Sequence, residues 1–231
     1  MRTAIPAIIL YAALLSLGAC TSNEIGSSRD VNPASVYFDY NVWGDEEGGT
    51  MNVKLQYRFA GANGTTLLLE APSKVEFDGV QLRADSSRMA GAYYEVIKPI
   101  SEFTGRHTIV FTDPENKQYR EEFSFHPISL RTQLPPTVTR GELILDLDGL
   151  APTDYLHVML NDTSRSGSGI DRVDTVKNGH IVLSARDFDS LASGPIRLEI
   201  SREDERKLKE ATPQGGRFSY SYGLKRSFNL K

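Results

Sequence analysis

The chain has one cysteine and one tryptophan in 231 residues, and no long apolar run. A membrane-spanning helix needs about 20 consecutive apolar residues. The most apolar stretch, Ala4 to Leu17, is shorter and carries Pro6. A single cysteine cannot form an intrachain disulfide, so the fold must rest on core packing. Basic residues are not in excess either: 26 Lys and Arg stand against 30 Asp and Glu. Without a basic stripe to neutralise phosphates, nucleic acid is excluded as an expected partner. The four histidines, His107, His126, His157 and His180, show no metal-ligand spacing. There is no nucleophile elbow, Walker loop or HExxH. The sequence therefore predicts no metal, no cofactor and no enzymatic activity.

What is present begins at the amino end. Met1-Arg2 is positive, the apolar run follows, and small residues close it. This is the layout of a secretory signal peptide over residues 1–19. Its end, Leu17-Gly18-Ala19-Cys20, resembles the bacterial lipobox. The resemblance implies that Cys20 carries a diacylglyceryl group on its thiol. It also implies cleavage before that residue and acylation, with palmitate or a similar chain, of the new amine. Thr21 in place of aspartate removes the usual inner-membrane retention signal, so an outer-membrane location is expected. With Arg2 gone, 25 basic residues face 30 acidic ones, a net charge of −5. Residues 20–33 are polar, small and aperiodic, and read as a flexible tether.

Beyond the tether the chain alternates with period two, the mark of half-buried strands. Met51, Val53, Leu55, Tyr57 and Phe59 share one face, as do Val36, Phe38, Tyr40 and Val42. Asp78-Gly79 within "KVEFDGVQLR" and Asn178-Gly179 mark tight turns. "HTIVFTDPENKQYREEFSF" reads as a hairpin with Ile109, Phe111, Tyr119, Phe123 and Phe125 inward, and with Thr108, Thr112, Gln118, Arg120 and Glu122 outward. Leu156, Val158 and Leu160 alternate later, as do Ile196, Leu198 and Ile200, and Phe218, Tyr220 and Tyr222. Pro135-Pro136 favours an extended break. The chain thus divides into 34–130 and 136–231, joined by a linker at 131–135. Each part has the size of an immunoglobulin-like sandwich, about 100 residues. The expected fold is all-β: two tandem sandwiches that fold separately.

A faint repeat supports this. "PISEFTGRHTIVFTD" and "ARDFDSLASGPIRLEIS" each run from an acidic segment with a phenylalanine, through a glycine, into an alternating strand. Ser184 and Asp187 have capping-box spacing, which predicts one helical turn. "SREDERKLKE" (Ser201–Glu210) reads either as a solvated helical turn or as the arm of a long hairpin.

Three places invite a functional reading. "NDTSRSGSGID" (Asn161–Asp171) has calcium-loop residues, but Val173 stands where the twelfth-position acid belongs, so an inter-strand loop is expected. Trp43, in "VWGDEEGGT", reads either as a cap on the sandwich core or as an exposed platform for a ligand. The Phe218, Tyr220, Tyr222 stripe is expected to be buried, because its alternate face is polar. Lipobox and two-part body together resemble the tandem immunoglobulin-like envelope lipoproteins of Gram-negative bacteria. That resemblance implies a non-catalytic, lipid-anchored cell-envelope protein that binds a protein partner or ligand. Its membrane contact would be the lipid on Cys20. One alternative is a glycan-binding accessory lipoprotein of an outer-membrane uptake system, which needs exposed aromatics side by side. A hydrolase is the third, and needs two carboxylates converging in a cleft.

Overall fold

Alternation decides nearly every element of this protein. A computed structural model describes residues 24–151, 154–162 and 169–231. The signal peptide expected over residues 1–19 and Cys20 lie outside them. The first part contains β1 (Ile25–Ser27), β2 (Val36–Asp45), β3 (Thr50–Phe59), β4 (Thr65–Leu68), β5 (Lys74–Phe77) and β6 (Val80–Gln81). β7 (Ala84–Ser87), β8 (Gly91–Pro99), β9 (Gly105–Thr112) and β10 (Gln118–Phe125) complete it. The second part contains β11 (Ser129–Leu130), β12 (Thr137–Val138), β13 (Leu143–Asp148), β14 (Tyr155–Asp162), β15 (Gly169–Thr175) and β16 (His180–Leu183). It closes with two long strands, β17 (Gly194–Lys207) and β18 (Gly216–Leu230).

Two tandem immunoglobulin-like sandwiches result. The first is built on a sheet ordered β10-β9-β5-β6, which packs on β2 and β3. Phe111 of β9 meets Phe38 at 5.0 Å and stacks on Tyr57 at 4.4 Å between ring centroids. The second contains the sheet β11-β13-β16. The expected turns are in place: Asp78 and Gly79 have φ of 50° and 79°, and Asn178 and Gly179 have 53° and 81°. Both pairs suit a two-residue hairpin whose twist follows that of the strands.

The faint repeat is structural. Helical turns at Ile100–Phe103 and Ala185–Asp189 each bury their phenylalanine, Phe103 and Phe188. Each is followed by a glycine that opens a strand, Gly105 at φ 128° and Gly194 at φ 130°. The second turn has the Ser184–Asp187 capping box. Thr112, expected outward, is buried.

The separation at 131–135 needs correcting. β17 and β18 pair along their whole length, from Gly194↔Leu230 to Lys207↔Arg217. The outer half of this hairpin leaves the second sandwich and enters the first. Residues 216–223 of β18 run parallel to β2, from Gly216↔Phe38 to Gly223↔Asp45. The segment Ser201–Glu210 is therefore a hairpin arm and not a helix. One sheet of 11 strands crosses the boundary, with the path β1-β4-β3-β2-β18-β17-β14-β15. Its inward side chains and those of the two smaller sheets form one continuous core.

The arm docks because its inward stripe is aromatic. Phe218 meets Phe123 at 5.0 Å, and Tyr222 meets Phe125 at 5.2 Å. Arg217 grips Asp39 with contacts of 3.1 and 3.3 Å. Arg206 places its guanidinium 4.6 Å over Phe218 and binds Glu121 at 2.6 Å. In the other direction, the β2–β3 tip leans on the second sandwich: Glu46 N–H donates to Gly223 C=O at 3.0 Å, and Arg226 pairs with Glu46.

The tether also needs correcting. From Ile25 onward the chain is built into the first sandwich. Ile25, Gly26 and Ser27 pair in parallel with Thr66, Leu67 and Leu68. Ser28 is buried, and its hydroxyl accepts the Glu70 N–H at 3.0 Å. Polar, small residues here satisfy backbone donors and acceptors instead of solvating a free chain.

Candidate functional site

The shared sheet has an outer face, and register alone assembles a site on it. Tyr40 and Val42 point into the core, so Asn41 and Trp43 point out. Asn41 lies opposite Lys54 on β3 and Ser219 on β18; Trp43 lies opposite Asn52 and Ser221. Ser219 and Ser221 lie opposite Glu205 and Glu203 on β17. Two small serines are thus flanked by the indole on one side and by carboxylates on the other. The result is an open trough of about 480 Å³. Trp43 is 38% exposed on its rim, which corrects the core-cap alternative. Lys54 sits close by, its Nζ 4.3 Å from the Tyr93 ring centroid. The first sandwich supplies Asn41, Val42, Trp43, Lys54 and Gln56, and the arm supplies the rest.

Tyr220 and Tyr222 are buried, as expected. They do not stand beside Trp43 as a ladder of exposed rings.

A second concavity of about 420 Å³ opens on the opposite side of the arm, at the junction of the two sandwiches. Its centre is Arg202, which the sequence reading passed over as one charge in a run. Its guanidinium donates to His126 C=O at 2.6 Å, Tyr220 Oη at 2.9 Å, Gly149 C=O at 3.2 Å and Asp154 at 3.2 Å. Two more carboxylates line it: Asp204, 3.7 Å from Arg206, and Glu203, which pairs with His157. Asp154 and Asp204 are thus paired with arginines, and Glu203 with a histidine.

Two of the histidines are held by carboxylates. His107 is buried between Phe77 and Phe103 and bonded to Asp78 at 2.8 Å. His157 lies on the outer face between Asp171 of β15 and Glu203 of β17. The hydrogen bond to Asp171 pushes its pKa above the usual value; burial opposes this, and Glu203 adds to it. Among the described residues, no three His, Cys, Asp or Glu side chains converge as a metal site. Most of the suggestive loop, residues 163–168, lies outside the described residues, as does Cys20.

No protein-family model matches this chain, and no curated protein does. Among solved structures it is similar to a tetra-tandem repeat from the extending region of a large adhesion protein. That match has 14% identity, covers 86% of this chain and 68% of the other, and has a TM-score of 0.27. It is also similar to SGBP-B of the Bacteroides ovatus mixed-linkage glucan utilization locus, in complex with a mixed-linkage heptasaccharide. There the values are 12% identity, 90% and 65% coverage, and a TM-score of 0.22. A third likeness is to the IG1+IG2 segment of DIP-gamma, at 10% identity, 81% and 94% coverage, and a TM-score of 0.24. All three matches are low in both identity and TM-score.

Proposed function

We propose that the chain is a lipid-anchored cell-envelope protein that binds a ligand or partner without turnover, at the trough around Trp43. One observation carries the binding site: the sole tryptophan stands exposed on the rim of a groove to which both sandwiches contribute. Large aromatics at such positions supply much contact area for little lost conformational entropy. The anchor rests on the lipobox at Leu17–Cys20, and the outer-membrane location on Thr21. The lipid on Cys20 is the membrane contact, and nucleic acid is not a partner.

A glycan is the second reading, favoured by the surroundings of the indole. A flat ring beside Ser219, Ser221, Asn41, Glu203 and Glu205 offers a stacking surface with both donors and acceptors, the pattern that sugar hydroxyls need.

Trp43 is its own probe, because no other tryptophan contributes to the fluorescence. Titration with soluble glycans and with solubilised envelope proteins should quench or shift its emission, and Trp43→Ala should weaken binding in a parallel calorimetric titration. Binding that survives Trp43→Ala unchanged would move the site elsewhere. For the anchor, radiolabelled fatty acid should enter the wild-type chain and not Cys20→Ala.

A further inference from the structure

Docking of β1 leaves little chain between the lipid and the fold. Only Thr21, Ser22, Asn23 and Glu24 separate Cys20 from Ile25. Fully extended, this stretch carries the backbone at most about 18 Å from Cys20 to Ile25. An acylated Cys20 lies at headgroup level, so the β1 edge of the main sheet is held within that distance of the bilayer. We propose that the first sandwich rests on the membrane along this edge, with the bilayer surface as its partner. The inference builds on the reading of Cys20 as the lipid-bearing residue.

The side chains at this edge suit that surface. Ile25 is 45% exposed and Leu68 is 38% exposed. The parallel register, Ile25↔Thr66 and Ser27↔Leu68, puts both on one face. The β7–β8 turn adjoins them: Ala92 N–H donates to Thr66 Oγ1 at 2.9 Å, and Thr66 is the partner of Ile25. At the tip of that turn Met89 is 95% exposed, with Arg88 before it. Three exposed apolar side chains suit an interfacial contact, because such groups enter the headgroup–acyl boundary. The apolar area is small, so it orients the anchored protein without binding membranes alone.

The test uses the full lipidated chain in vesicles of phosphatidylethanolamine and phosphatidylglycerol. Acylation consumes the Cys20 thiol, so Leu68→Cys, Met89→Cys or Val173→Cys introduces the only thiol open to a spin label. Val173 is exposed on β15, at the far edge of the same sheet. Labels at 68 and 89 should lose collisions with an aqueous relaxant and gain them with oxygen, while the label at 173 stays aqueous. If the protein floats with the vesicles but all three labels remain equally aqueous, the proposal is wrong and the anchor stands. If the protein does not float, the anchor reading fails and takes the proposal with it. Inserting a 15-residue Gly/Ser spacer between Glu24 and Ile25 should weaken the contacts at 68 and 89 without releasing the protein.

Discussion

Trp43 shows how much a single phase carries. Val36, Phe38, Tyr40 and Val42 fix the inward parity of β2, and 43 has the opposite parity. Its exposure was legible from that count; its apolar character alone pointed the other way. Trp43→Ala should therefore weaken ligand binding by more than about 1 kcal/mol. It should cost clearly less stability than the roughly 3–5 kcal/mol of a core aromatic truncation, as chemical denaturation can check. Glu121 is the opposite case. It occupies an inward position among aromatics, 2% exposed, where the sequence shows only another glutamate of a polar run. Its partner Arg206 lies 85 residues away, so nothing local announced the pair. Arg206→Ala should destabilise by about 3 kcal/mol, since it strands a buried carboxylate. Replacing both residues by leucine should recover much of that loss. His157 gives a pH signature. Its folded pKa is raised, so its contribution is complete below the unfolded value of about 6.5 and fades as pH rises through the folded one. His157→Gln should remove that slope from the stability profile, and an NMR titration of the wild-type ring should show the upward shift.

At the scale of elements, the strands and their turns were readable because each is decided by neighbours in sequence. Asp78-Gly79, Asn178-Gly179 and the Ser184–Asp187 box all formed as expected. The destination of the arm was not readable. Its inward residues alternate as any strand's would, and only the facing surface of β10 says which core they fill. Phe218→Ala should therefore destabilise the first sandwich, by roughly 3–5 kcal/mol. Hydrogen exchange should detect the loss in β10 amides before those of β13 or β16. Gly105 and Gly194 hold φ values that side chains rarely adopt, so alanine at either should cost about 1–3 kcal/mol from backbone strain. The far edge of the main sheet carries its own protection. Arg172 on β15 turns toward the smaller sheet, bonding Asp187 at 2.6 Å and Val182 C=O at 2.8 Å. Ionic groups directed this way discourage a second chain from pairing there.

For the molecule as a whole, composition and alternation were enough for an all-β pair of sandwiches, but not for their fusion. The diproline at 135–136 looks like a hinge in sequence; in the structure Pro136 C=O accepts the Asn229 N–H at 2.9 Å. With one core and one sheet across it, unfolding in urea should be a single transition, coincident by Trp43 fluorescence and far-ultraviolet circular dichroism. Reductant should not move the midpoint, since no disulfide exists to reduce.

The hairpin arm also dictates an order of events. A chain synthesised amino end first presents β2 long before residues 216–223 arrive. Until then β2 is an open edge, and Phe123 and Phe125 lack their cover. The first sandwich is thus begun early and finished late, when residues 216–223 pair with β2. Two copies folding side by side could each complete the other, because the arm that fits β2 in its own chain fits the same strand in a neighbour. Local concentration during folding, and not sequence, would then select between monomer and swapped dimer.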